Sequence, residues 1–268
     1  MRKACDGLVL RVSDVGEHDR MLTLLTADEG KLYINAKGAR STRSKTASLC
    51  RILSYVNVEL YEKNGRYWLA EGSMNRGFFG IGEDLCSFAL ASYIMQVADE
   101  ITGENSPADE ILRMSLNTLH AIEKKIVPNE QIKATYELFA AIISGFEPDL
   151  SSCMLCKSCD CGERMWLDVM NGAVICDECQ RKRSFGGAMP ELDRFETKNI
   201  LLPLDSSALE AMRYVAQSPL KRIFAFGLNN DSSMALFCRA AENYLLHHLE
   251  RDFDTLHFYK AVIKEKAL

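Results

Sequence analysis

The first 80 residues alternate apolar and polar positions with a period of two. Leu8/Leu10/Val12, the run from Met21 to Thr26, Leu32/Ile34/Ala36, Val56/Val58/Leu60 and the run from Tyr67 to Ala70 predict five short strands. Asn64-Gly65, between the last two, is the dipeptide preferred where both turn residues need positive φ, so a two-residue hairpin is expected there. Five such strands with a polar loop after the third predict a small β-barrel of the OB type. Periodicity alone does not separate an OB barrel from an SH3-like one.

At Asp84 the period becomes helical. Leu85, Phe88, Ala89, Ser92, Tyr93, Gln96 and Val97 fall on one face of a helix. A second helix is expected from about Pro107 to Ile126, and a third from Pro128 to near Gly145, a natural C-terminal stop. Further helical patterns cover roughly 206–217, 219–226, 233–251 and 255–265. The fold class is therefore α+β and multidomain. Residues 1–80 are expected to form the barrel and 81–268 a helical domain, with a cysteine-rich segment at 150–183 inserted between its two helical regions. The chain contains no internal repeat and no low-complexity tract.

Charge changes this picture more than composition does. The formal net charge is -5, but residues 1–80 hold 13 Lys and Arg against 9 Asp and Glu, whereas 81–145 hold 4 against 10. The acidic surplus reads as solvated helix faces. From Gly30 to Val58 no carboxylate occurs, while Lys31, Lys37, Arg40, Arg43, Lys45 and Arg51 do. The densest part, Lys37 to Lys45, mixes cations with Gly, Ala, Ser and Thr. That is loop chemistry suited to phosphates, although alone it equally fits a solvated loop. Tyr33, Tyr55, Tyr67 and Trp68 are candidate stacking platforms for bases, set against the ordinary role of strand aromatics in a core. The apolar run Leu8-Val9-Leu10 is too short for a signal peptide, and no later stretch reaches membrane-spanning length, so a cytoplasmic location is expected.

Ten cysteines without an export signal point to a reducing compartment, where clustered thiols hold metal more often than they form disulfides. Cys153-Met154-Leu155-Cys156 and Cys176-Asp177-Glu178-Cys179 are two C-x-x-C pairs with a spacer long enough for a hairpin. Four thiolates complete a closed tetrahedral shell, the arrangement of one structural zinc per chain. Cys159 and Cys161 complicate the ligand choice, since Cys156/Cys159 is also a C-x-x-C pair and Cys161-Gly162 has a knuckle-like step. Cys5, Cys50, Cys86 and Cys238 stand apart and read as small apolar residues.

Enzyme motifs fail on inspection. Gly30-Lys31 has Leu25 and Leu32 where a phosphate-binding loop needs Gly and Ser or Thr. Gly80-Ile81-Gly82-Glu83-Asp84-Leu85 lacks the third glycine of a dinucleotide fingerprint, and its acids serve better as helix caps. His248-Leu249-Glu250 is not followed by the cysteine pair of a zinc deaminase, and His247 and His248 read as surface or packing residues. No paired carboxylates or Ser/His/Asp set stands out, and a non-enzymatic protein is expected.

Gly7-Leu8-Val9-Leu10-Arg11, Gly16-Glu17-His18-Asp19-Arg20, Leu24-Leu25-Thr26, Glu29-Gly30-Lys31-Leu32 and Ala36-Lys37-Gly38-Ala39-Arg40 follow one another in order. Together they closely resemble the N-terminal signature of the bacterial RecO family of DNA repair proteins. The resemblance continues through Val58-Glu59-Leu60-Tyr61, Pro148-Asp149-Leu150 and the stretch from Leu246-His247-His248-Leu249 to Leu256-His257-Phe258. It implies an N-terminal OB-fold and a helical C-terminal domain with an embedded zinc knuckle. It also implies a recombination mediator that binds single- and double-stranded DNA and anneals complementary strands. Such a mediator works with RecR to load RecA onto strands covered by single-strand-binding protein. By position, the DNA contacts it implies fall on Lys37, Arg40, Arg43 and Lys45, with Arg20 and Lys31 as further candidates. The zinc ligands it implies fall on Cys153, Cys156, Cys176 and Cys179. Two departures bear on this. Lys157-Ser158-Cys159-Asp160-Cys161 replaces the usual Gly after the second cysteine, leaving Cys159 and Cys161 as alternatives to Cys156. The acidic 81–145 region argues against a broad DNA footprint on the helices. The competing reading is a zinc-stabilised adaptor whose basic loop binds an acidic peptide, such as the tail of single-strand-binding protein.

Overall fold

The computed structural model describes residues 2–41, 43–158, 164–184, 200–228 and 230–266. Contacts divide the chain into two compact units, Met1–Asn129 with Phe253–Leu268, and Glu130–Asp252.

The first unit opens with strands β1 (Arg2–Val15), β2 (Asp19–Thr26), β3 (Gly30–Ala36), β4 (Ser54–Lys63) and β5 (Arg66–Gly77). They close in the order β1-β2-β3-β5-β4 and back to β1. Every pairing is antiparallel except β3 with β5, where Ile34 faces Tyr67 and Asn35 faces Trp68. A parallel β3–β5 seam closing a five-stranded barrel is the OB arrangement, which settles the choice that periodicity left open. Alternation sends Val9, Leu22, Leu24, Ile34, Val56 and Val58 inward to one core. Asn64 and Gly65 have φ of 54° and 70°, the primed turn expected between β4 and β5.

Three helices complete this unit: α1 (Leu85–Ile101), α2 (Asp109–Lys124) and, from the far end of the sequence, α7 (Asp254–Lys266). Both α1 and α2 pack on β1, where Leu8 and Leu10 are buried although Val9 already fills the barrel interior. Asp84 caps α1, its carboxylate accepting from the Ser87 backbone N–H at 3.0 Å and hydroxyl at 2.7 Å. The glycines before it lie in a 3₁₀ turn, Phe79–Glu83, so the segment starts a helix as expected. Tyr93 of α1 meets Phe253, just ahead of α7, edge to face at 5.7 Å.

The second unit contains α3 (Asn129–Ile143), strands β6 (Asp149–Cys153), β7 (Arg164–Asp168) and β8 (Ala173–Cys176), then α4 (Asp177–Ser184), β9 (Leu201–Asp205), α5 (Ser206–Gln217) and α6 (Asp231–Leu249). The four strands form one sheet in the order β6-β8-β7-β9, which the helical pattern of this region did not announce. A helix expected over 219–226 is a single 3₁₀ turn, Leu220–Arg222. The carbonyl of Arg222 accepts instead from the Tyr214 hydroxyl at 2.9 Å, and Gly227 follows closely. The acidic residues of the region are not all on solvated faces either, for Glu137 is fully buried. His248 is a packing residue, stacked on Phe146 at 4.8 Å and set against Tyr244 at 4.3 Å.

Candidate nucleic-acid and metal sites

The basic loop lies between β3 and β4 as a series of turns over residues 37–41 and 43–53. Ala39, Leu49 and Cys50 belong to the barrel core and fasten it at both ends. Hydrogen bonds fix its path: the Asp19 carboxylate accepts from the Gly38 N–H at 2.7 Å, and the His18 carbonyl from the Arg40 N–H at 3.1 Å. The loop thus stands against the β1–β2 hairpin as a held platform. An open groove between them is lined by Arg20, Arg40, Ser41, Ser44 and Arg51, with Asp14 as its carboxylate.

The candidate cations divide by what they touch. Lys37, Arg43 and Lys45 are exposed, and among the described residues their side chains have no ion-pair or hydrogen-bond partner, nor does that of Arg51. Arg40 donates to the Gly16 carbonyl at 2.6 Å and lies 3.5 Å from Asp14. Arg20 donates to Asp14 at 3.2 Å and to the Cys50 carbonyl at 3.3 Å. Lys31 starts β3, at the opposite end of that strand from Lys37. Its ammonium is taken up by Asp99 of α1, 3.0 Å from the carboxylate and 2.6 Å from the carbonyl. Of the candidate stacking aromatics, Tyr67 packs against the barrel core, whereas Tyr33 stands 40% exposed.

In the second unit, strand register assembles the cysteines. Cys153 ends β6, Cys176 ends the neighbouring β8, and Cys179 lies in the first turn of α4. Parallel pairing sets Cys153 beside Val174. The chain then doubles back, Lys157 donating to the Cys153 carbonyl at 2.8 Å with φ of 59°, which returns Cys156 to the cluster. The four sulfurs of Cys153, Cys156, Cys176 and Cys179 lie within 4.8 Å of one another, and those of Cys156 and Cys176 are 3.8 Å apart. A tetrahedral thiolate shell with bonds of about 2.3 Å has sulfurs roughly 3.8 Å apart, so the cluster can hold a metal ion. Backbone N–H groups of Cys176 and Cys179 point at the sulfurs of Cys153 and Cys176, at 3.3 and 3.4 Å. Burial pushes the Cys176 thiol up to about 11 and raises that of Cys179 as well. Burial also opposes ionisation of Cys153, but N–H donors from Cys156, Cys176 and Leu155 outweigh it and hold that thiol at about 7. A bound cation would relieve this conflict, because thiolates, not thiols, are its ligands. Cys159 and Cys161 lie outside the described residues. Cys50 and Cys86 are buried singly.

A closed OB barrel with a basic loop after its third strand, followed by helices and by four cysteines placed to be able to hold a metal ion, defines the class of modular fold to which the chain belongs. Residues 1–78 match the family described as Recombination protein O N terminal, and residues 82–257 that described as Recombination protein O C terminal. The chain belongs to the RecO family of DNA repair proteins. It is 30% identical to the DNA repair protein RecO of Myxococcus xanthus over 261 residues, covering 96% of each chain. The Acetivibrio thermocellus RecO is 24% identical over 261 residues and 97% of each chain. With the Bacillus subtilis RecO the match is 29% over 182 residues, 68% of this chain and 70% of that one. No helix among the described residues is long and apolar enough to cross a membrane.

Proposed function

We propose that the protein is a non-catalytic mediator of recombinational DNA repair, binding single- and double-stranded DNA through the Lys37–Lys45 loop. The observation that carries this is that Lys37, Arg43 and Lys45 of that loop are exposed and without intramolecular partners among the described residues, in a run without carboxylates. Lys37, Arg43 and Lys45 are the leading contacts. Arg40 and Arg20 hold the loop to the β1–β2 hairpin and line the groove beside it, while Lys31 fastens β3 to α1. A fixed cationic platform screens the repulsion between two strands, so annealing of complementary strands proceeds without nucleotide. The four cysteines hold one structural zinc that orders the sheet and α4. Family membership supports a role with RecR in loading RecA onto strands covered by single-strand-binding protein, the acidic 81–145 region leaving its helices freer for proteins than for DNA. If four loop cations each neutralise a phosphate, the loop contributes about -3 to the log–log salt slope of single-strand affinity. The full chain carrying Lys37→Ala, Arg43→Ala and Lys45→Ala should bind more weakly, with a flatter slope and slower annealing of complementary oligonucleotides in buffer free of ATP. An unchanged slope, or annealing that needs ATP, would sink this reading.

A further inference from the structure

The outer face of the barrel carries a second set of aromatic and cationic residues that the loop does not explain. Strand register aligns it. Arg2 pairs with Tyr61 across β1 and β4, Tyr61 with Trp68 across β4 and β5, and Trp68 with Asn35 across β5 and β3. Their chain neighbours Leu60, Leu69 and Ile34 are buried inward, so by alternation this row faces out. The next row on the same face holds Lys63 paired with Arg66, and Tyr33, two positions before Asn35 in β3, faces the same way by alternation. Neither row contains a carboxylate.

The exposed polar ends of these rings are unusual for strand aromatics. Tyr33 and Tyr61 are 40% and 39% exposed. Neither hydroxyl, nor the Trp68 indole N–H, has a hydrogen-bond partner among the described residues. The Tyr61 and Trp68 rings are nearly parallel, 12° apart with centroids at 6.4 Å. Arg2, Lys63 and Arg66 are exposed and without an intramolecular partner among the described residues. Lys37, first cation of the basic loop, follows Asn35 by two positions, so the face runs continuously into that loop.

We infer that this face is a base-stacking site for single-stranded nucleic acid, with Tyr61, Trp68 and Tyr33 taking unstacked bases and Arg2, Lys63 and Arg66 taking the phosphates between them. The occupant follows from the pairing of ring faces with cations. An apolar protein surface would leave the three cations unmatched, and a duplex keeps its bases stacked on one another. The inference rests on the DNA-binding reading above but assigns the single strand to different residues. The loop, holding only backbone-directed cations, then serves duplex and single strand alike, and the aromatic face adds selectivity for the single strand.

The test uses the full chain labelled with 5-fluorotryptophan, whose two tryptophans give separate fluorine resonances assigned by Trp68→Phe. Short oligothymidylate should shift the Trp68 resonance, and an abasic strand of the same length and charge should not. Tyr61→Leu with Trp68→Leu keeps apolar cover on the strands. It should weaken single-strand binding about tenfold or more, as loss of base stacking does, with salt slope and duplex affinity unchanged. Replacing Arg2, Lys63 and Arg66 by Gln should flatten the single-strand slope by about 2. Saturating oligothymidylate, judged by anisotropy, with an unmoved Trp68 resonance would overturn this inference alone and leave the loop as the DNA site. So would a leucine variant that binds as the wild type does, or one that changes only the sedimentation coefficient, which would mark the face as a contact between copies. Failure of the wild-type chain to bind any oligonucleotide would overturn both readings.

Discussion

Lys133 sits inside the second unit with its side chain 7% exposed, 2.7 Å from Glu137 and 2.7 Å from Glu242. Burial works against its charge, but the two carboxylates outweigh burial and hold the ammonium above its ordinary value. A buried group of this kind is costly to break from one side. Lys133→Met should destabilise the unit by about 3–5 kcal/mol in urea unfolding, because it strands two carboxylates without their cation. Asp84 shows the milder, half-buried case. Its bonds from the Ser87 hydroxyl and N–H hold the carboxyl below its ordinary value, so the stabilisation is present above the unfolded pKa and disappears as pH falls through the folded one. Asp84→Ala should cost about 1 kcal/mol at neutral pH, whereas Asp84→Asn keeps the cap but loses this acid-side dependence, both read from thermal unfolding at several pH values. The cap was legible, because a carboxylate just before a helical period has few other uses. Lys133 was only half legible, since Glu137 stands four residues on in the sequence, but an i,i+4 pair on a helix reads as a surface pair whether or not a further partner 109 residues away buries it.

The strands of the barrel were legible because β3 and β4 bury one face and alternate, because β1 and β2 carry short apolar runs where both faces are covered, and because Asn64-Gly65 marks its own turn. The β6–β9 sheet offered no such signal. Its strands are four or five residues long, and all of β8 is buried, so alternation is lost. The parallel β6–β8 pairing is set by contacts across the cysteine segment, beyond any local window. One contact within the first unit joins the start of β3 to the connection between α1 and α2, in a way that sequence reading treats as a mere turn. Gly30 has φ of +64°, and a Cβ there would lie 2.3 Å from the Gly103 carbonyl and 2.5 Å from that of Ser106. Both are backbone atoms that cannot step aside. Gly30→Ala should therefore cost well beyond the ~1–2 kcal/mol of a left-handed alanine, and it should also disturb the Lys31–Asp99 pair next to it. A melting temperature within a degree of wild type would contradict that packing.

For the whole molecule, the charge division between 1–80 and 81–145 was plain in the sequence. The return of α7 to the first unit was not, because the Thr255 hydroxyl and N–H meet the Gln96 side chain across most of the chain length. The two compact units make different demands on a metal. Among the described residues, the four cysteines that can hold one lie in Glu130–Asp252, and the barrel core is built without them. If the cluster holds zinc, the metal contributes about 10–16 kcal/mol of apparent binding free energy to the fold around it, comparable to the full stability of a domain. Removing it should then act on one unit only. Treatment with a strong chelator under reducing conditions should speed amide exchange in β6, β8 and α4 while β1 to β5 keep their protection. Single-strand affinity and its salt slope should survive the same treatment, since the cations proposed to carry them stand on the barrel. Cys176→Ser or Cys179→Ser should reproduce the chelator's pattern without it. Uniform loss of protection across both units would show that the cluster supports the barrel as well, and a well-folded protein that contains no zinc when purified under reducing conditions would show that the cysteines pack without a metal.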